Sequence, residues 1–266
     1  MEKQFSYQHT PVNYRTEGEG MVVVLVHGFP EDHHIFDDQV AVLKEHYRLI
    51  IPDLPGSGKS AVYKKDADVS ITDYALVIAA LLEEEKVESC VMLGHSMGGY
   101  ITLAFAEQYP QKLKAFGLIH STAFEDSDEK KLNRKRSVET MEKYGAYAFL
   151  KSTVPNLFSA GYKAAHADKI GLLIERGNKF PVEALQQYYI AMMNRPDRTS
   201  VLRGSDVPVL FIIGTEDGAA PLKDVIQQVH LPAVAHFHIL EGVAHMSMWE
   251  ATDELNSYLY SFLETV

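Results

Sequence analysis

Four separated spots in this chain carry groups that could move an acyl group. Gly94-His95-Ser96-Met97-Gly98 lies between an apolar run, Val91-Met92-Leu93, and a small-residue stretch from Tyr100 to Tyr109. That context demands a strand, a one-residue turn and a helix. So abrupt a turn forces its middle residue into strained geometry, and glycine on either side lets strand and helix close up. Ser96 is thereby presented at the carboxyl end of the strand, and the N–H of Met97 points at the same spot from the helix start. His27-Gly28-Phe29-Pro30 ends another strand, and its amides can approach a developing negative charge. Glu216 and Asp217 follow a third strand end, placed either to support a base or simply to open a loop. His245 follows a fourth, where ligand sites of open α/β sheets lie. A serine hydroxyl is a poor nucleophile at neutral pH and needs a histidine base, which in turn needs a carboxylate to hold it. The chemistry within reach of these types is acyl transfer.

The elements that must position them alternate. Residues 3–16 read as a polar hairpin, and Met21–Val26, Arg48–Ile51, Ser89–Leu93, Ala115–Ile119, Val207–Ile213 and Phe237–Leu240 as strands. Helical spacing falls at 35–47, 71–82, 100–109 and 247–263, with the acidic run Glu83–Glu85 on a solvated face. This rhythm predicts a mostly parallel sheet with helices on both faces. It breaks at 122–204, where helical stretches at 125–143, 145–152, 163–176 and 182–194 come without a buried strand. That segment holds 14 Lys/Arg against 10 Asp/Glu, although the chain as a whole is at −11. It reads as an inserted unit, with 1–121 and 205–266 as the core.

At 266 residues, 46% hydrophobic and 23% charged, the chain is a soluble globular protein with an ample core. Its net charge of −11 and pI near 5.5 argue against a nucleic-acid partner. Cys90, the single cysteine, permits no intrachain disulfide. No run of 18 apolar residues and no apolar leader occurs, so no membrane association and a cytoplasmic location are expected. Gly58-Lys59-Ser60 imitates the end of a phosphate-binding loop. Asp53 replaces its leading glycine and no helical apolar face follows directly, so nucleotide binding is rejected and Asp53 is expected to order its own loop.

With His-Gly-Phe-Pro, Gly-His-Ser-Met-Gly-Gly, a late Gly-x-x-Asp and a final Gly-x-x-His in that order, the chain resembles the α/β-hydrolase superfamily over its whole length. The resemblance implies an eight-stranded, mostly parallel α/β-hydrolase sheet with a helical cap at 122–204. It implies Ser96 as nucleophile, Asp217 as acid in preference to Glu216, His245 as base, and the N–H groups of Phe29 and Met97 as oxyanion donors. No cofactor or metal is implied. A serine at the elbow disfavours the alkyl-enzyme chemistry of epoxide hydrolases and haloalkane dehalogenases, which use aspartate there. The expected activity is hydrolysis of a small, mostly apolar carboxylic ester, by a monomer or homodimer whose partners are that ester and water. A carbon–carbon hydrolase, a lactonase or thioesterase, and a slow-turnover signal receptor of the same fold are the alternatives. Phe29, Met97, Phe124, Tyr188 and Met246 are the expected pocket residues. The net +4 of 122–204 offers the alternative of a basic cap entrance that favours a dicarboxylate half-ester, but many of those cations, with the run Asn133-Arg134-Lys135-Arg136, are assigned to a solvated helix face and the apolar pocket is preferred.

Overall fold

The long apolar runs become the strands of one sheet. The computed structural model describes residues 1–63 and 68–266. Among these the chain runs β1 (Glu2–Tyr7), β2 (Thr10–Glu17), β3 (Val22–Val26), α1 (Asp37–Leu43), β4 (Arg48–Pro52), α2 (Ile71–Glu84), β5 (Cys90–His95), α3 (Met97–Gln108), β6 (Leu113–Ile119), α4 (Asp128–Thr153), α5 (Ala160–Ala165), α6 (Ala167–Gly177), α7 (Val182–Met193), α8 (Thr199–Arg203), β7 (Val209–Gly214), α9 (Leu222–Val225), β8 (Ala235–Leu240), α10 (Ser247–Glu250) and α11 (Thr252–Leu263). The strand order is β1-β2-β4-β3-β5-β6-β7-β8. β1 pairs β2, and β2 pairs β4, antiparallel; every other pairing is parallel. β5 and β7 are buried along their whole length, as strands covered on both faces must be. α2 packs on α3, and α1 on α11.

Some boundaries differ from the sequence reading. The stretches 125–143 and 145–152 join as α4, interrupted only at Gly145, whose φ of 81° leaves the helical region. The stretch 163–176 divides at His166 and the closing helix at Ala251, both of which take non-helical backbone angles. Glu85 is not solvated: it pairs with Lys3 at 2.9 Å and also with Tyr14 and Arg48, clamping α2 to the antiparallel end of the sheet. Between β6 and β7 only helices occur among the described residues, and α4 packs against both α6 and α7. Arg198 N–H donates to Ala123 O at 2.7 Å, so the two ends of that excursion touch.

The Gly58-Lys59-Ser60 loop folds around a carboxylate of its own chain. Asp53 Oδ2 accepts from Lys59 N–H (3.0 Å), Oδ1 accepts from His33 N–H (3.0 Å), and Ser60 Oγ donates to Asp53 O (2.7 Å). Of the stretch after Ser60, residues 64–67 lie outside the described residues. Among the described residues no helix is long and apolar enough to cross a membrane.

Candidate active site

β5 gives way to α3 at one residue. Ser96 takes φ 51° and ψ −115°, a conformation that a non-glycine residue holds only when its surroundings impose it. Here its N–H donates to Ile119 O (2.9 Å), and its carbonyl accepts from Gly99 N–H (2.9 Å) and Ser121 Oγ (2.7 Å). A Cβ on Gly94 would run into the Gly98 carbonyl, and one on Gly98 into the carbonyl of Val26. Both glycines are therefore required by close approach, as the sequence pattern demands.

β7 ends at Gly214, and the turn after it buries Asp217 while leaving Glu216 exposed. Four donors converge on Asp217. Oδ1 accepts from the N–H groups of Ala219 (2.8 Å) and Ala220 (2.9 Å). Oδ2 accepts from Nδ1 of His245 (2.8 Å) and of His120 (3.0 Å). Burial opposes the charge, but His245 and His120 more than offset it and hold this carboxyl well below the usual carboxylate range. With Nδ1–H committed to Asp217, His245 keeps Nε2 as an acceptor. Asp217 rather than Glu216 thus orients the His245 ring. His120, at the end of β6 with φ 50°, was not singled out by the sequence; burial, partly countered by Asp217, pulls its pKa down to about 4, so it stands neutral. His120, Asp217 and His245 offer ligand atoms within 4.8 Å of one another, a spacing that suits a cation, but the four donors already fill the acceptor capacity of the carboxylate.

Phe29 and Met97 are both buried, and among the described residues neither N–H donates a hydrogen bond. Backbone donors are seldom left so. Behind them lies an ion pair that sequence reading missed. Glu31 Oε2 accepts from Gly28 N–H (2.7 Å) and lies 3.0 Å from His95 Nδ1, while His95 Nε2 is 2.9 Å from the carbonyl of His245. Both ring nitrogens of His95 face acceptors, which only an imidazolium satisfies. Burial works against that charge, yet Glu31 outweighs it and raises the His95 pKa; Glu31 is lowered in turn, chiefly by His95, against its own burial. Cys90 is buried, and that burial pushes its thiol up to about 12, so at neutral pH it stays a protonated thiol.

Ser96 and His245 border one cavity of about 230 Å³. Phe29, Tyr100, Leu157, Tyr189 and Met192 form its apolar wall, and Lys130, Asn133, Arg134 and Ser137 its polar one. Of the expected pocket residues, Phe29 is there, whereas the Met97 side chain is wholly buried and does not line the cavity. The other three need correcting as well. Phe124 borders a neighbouring cavity of about 500 Å³. Tyr188 is wholly buried and donates its hydroxyl to the carbonyl of Pro55 (2.8 Å); one step along α7, Tyr189 and Met192 take the cavity face instead. Met246, next to His245 in the chain, is wholly buried and does not line the cavity. The solvated-face assignment of 133–136 also changes in part: Lys135 and Arg136 are exposed, but Arg134 turns inward with its side chain 19% exposed.

Comparison with known proteins places these features in context. Residues 21–155, just over half of the chain, match the family described as the alpha/beta hydrolase fold. A segment of 106 residues is 35% identical to an uncharacterized protein of Mycobacterium tuberculosis, spanning 40% of this chain and 30% of that protein's length. Lipase 1 of Psychrobacter immobilis is 28% identical over 244 residues, 88% of this chain and 74% of the lipase. Among solved structures, a thermophilic esterase from Thermogutta terrifontis superimposes with a TM-score of 0.93 at 25% identity, covering 100% of this chain and 98% of the esterase.

Proposed function

The chain belongs to the alpha/beta hydrolase fold family, and from that premise we propose that it is a serine hydrolase cleaving a small carboxylic ester through an acyl-enzyme. The observation that carries this reading is the shared cavity, bordered by a serine on a strained turn and by a histidine whose Nδ1 is held 2.8 Å from Asp217. In this mechanism Ser96 Oγ passes its proton to His245 Nε2 as it attacks the ester carbonyl carbon. Charge that develops on the carbonyl oxygen meets the N–H groups of Phe29 and Met97, each such donor being worth about 10²–10³ in rate. Asp217 stabilises the imidazolium, which returns the proton to the departing alcohol. Water then takes the place of the alcohol and the same groups release the acid. The helices between β6 and β7 serve as a cap (122–204) over the core (1–121 and 205–266), and the cavity of about 230 Å³ restricts the substrate to short groups. The lipase and esterase relatives agree with ester chemistry.

The test is turnover of a panel of short p-nitrophenyl esters by the native protein and by Ser96→Ala. The variant is expected to keep its fold by circular dichroism, to lose about 10⁶ in kcat, and to escape labelling by a fluorophosphonate probe. Labelling that persists in Ser96→Ala rules the nucleophile out. A single-turnover burst followed by silence in the native protein replaces the enzyme with a slow-turnover receptor.

A further inference from the structure

Resting on the hydrolase reading above, we propose that the catalytic cavity binds a substrate carboxylate at Arg134, so that its preferred esters are half-esters of short dicarboxylic acids. Lys130, Asn133, Arg134 and Ser137 follow the i, i+3, i+4, i+7 spacing of one helix face. A polar stripe on a surface helix belongs in water; this one borders the cavity that Ser96 and His245 share. Among the described residues lining that space no carboxylate occurs, and the permanent charges are those of Lys130 and Arg134.

Arg134 is fixed in place. Its Nε donates to Asp126 Oδ2, and its guanidinium lies 5.3 Å from the centre of the Tyr189 ring, which packs 4.8 Å from Phe29. Asp126 is buried and shared: Arg195 Nη1 approaches Oδ1 at 2.8 Å. Arg195 is committed through both Nη nitrogens, donating to the carbonyls of Met192 (2.8 Å) and Phe124 (3.0 Å) with its guanidinium 3.8 Å from the Tyr100 ring centre. Two guanidinium groups against one carboxylate leave one positive charge uncompensated. Among the described residues neither Nη nitrogen of Arg134 makes a hydrogen bond. A rigid guanidinium edge of this kind, set in the polar wall that faces the apolar one, matches a carboxylate bidentately. One net charge suits a monoanionic carboxylate better than a phosphate dianion. Lys130 is a rim cation whose Nζ lies 3.3 Å from the Ala219 carbonyl, and it attracts the anion toward the mouth.

The experiment compares methyl hydrogen glutarate with its neutral isostere, methyl 5-methylhexanoate, and measures glutarate binding by calorimetry. In the native protein the half-ester is expected to exceed the isostere in kcat/KM by about tenfold or more at low salt, with the ratio shrinking as sodium chloride is raised. Arg134→Met is expected to bring that ratio to about one and to weaken glutarate about tenfold, while Lys135→Gln, which removes an exposed neighbouring cation, leaves the ratio where it was. If the native protein hydrolyses the neutral ester and does not prefer the half-ester, or if Arg134→Met keeps the preference, the carboxylate site is wrong and the hydrolase reading stands. If neither ester is hydrolysed but glutarate binds and depends on Arg134, the carboxylate site stands and the hydrolase reading falls.

Discussion

Replacing Asp217 by Asn sets four converging donors against a group that can accept from only one side. The amide keeps one oxygen and gains an NH₂, so one pair of donors must face it. If the NH₂ faces the N–H groups of Ala219 and Ala220, now 2.8 and 2.9 Å from Oδ1, both lose their partner, and the buried one, that of Ala220, costs about 1–3 kcal/mol. If it faces His245 and His120, now 2.8 and 3.0 Å from Oδ2, each ring can accept through Nδ1 by moving its proton to Nε2. That second arrangement is less costly for folding, and it disables the base, because a protonated Nε2 cannot take the Ser96 proton. Asp217→Asn is therefore expected to stay folded, to lose a few kcal/mol of stability at most, and to lose about 10⁴ in kcat, the scale seen when a triad carboxylate becomes an amide. Glu216→Gln, at an exposed position one residue away, is expected to match the native enzyme. Steady-state kinetics of both variants, with urea unfolding to check the fold, decide the matter. Retention of more than about a tenth of native kcat by Asp217→Asn, or greater damage from Glu216→Gln, refutes this account of the acid.

Other outcomes follow from buried groups. His120 has its pKa pulled down to about 4 by burial, against about 6.5 in an unfolded chain; between those values only the unfolded state takes up the proton, so stability falls with falling pH, by about 3 kcal/mol in all. His120→Asn, which tolerates the positive φ and still offers a donor to Asp217, is expected to flatten that part of a stability-versus-pH curve measured by urea unfolding, and identical slopes refute it. Gly98→Ala is expected to be destabilised by about 1–3 kcal/mol because the new methyl meets the backbone carbonyl of Val26 rather than a side chain that can move aside; a thermal unfolding midpoint equal to the parent's refutes this.

The central strands were legible because they are apolar runs, the β1–β2 hairpin because its polar stretch alternates, and the elbow because glycine marks where backbones must touch. Choosing Asp217 over Glu216 is a matter of which side of a tight turn is buried, and composition carries no trace of that. Glu31, His95, His120 and Asp126 were invisible for a related reason: each acquires its role from a partner far along the chain, as when His120 meets Asp217 across 97 positions. Tyr188 and Tyr189 differ by 100° of helical phase, and the sequence shows that both are aromatic without showing which faces the cavity. The same phase ambiguity hid Arg134 within a run of cations, two of which do face water. At Gly58-Lys59-Ser60 the reverse held, since Asp53 at the leading position signals that the loop's amides already have a carboxylate to bind.

Glu31 lies two residues past Phe29, His95 immediately precedes Ser96, and the carbonyl that His95 meets belongs to His245. Losing either member of this pair strands a charge in a site closed to water, at a cost of about 3–5 kcal/mol, whereas exchanging both for well-packed apolar residues can be neutral. For a lineage accumulating single substitutions, these two positions are therefore separated from their alternatives by a fitness valley: neither can drift alone, and a change at one selects for a compensating change at the other. The residue that precedes the serine of this elbow is thus tied energetically to the one at position 31, so that a substitution at either is expected to be tolerated only with a matching change at the other.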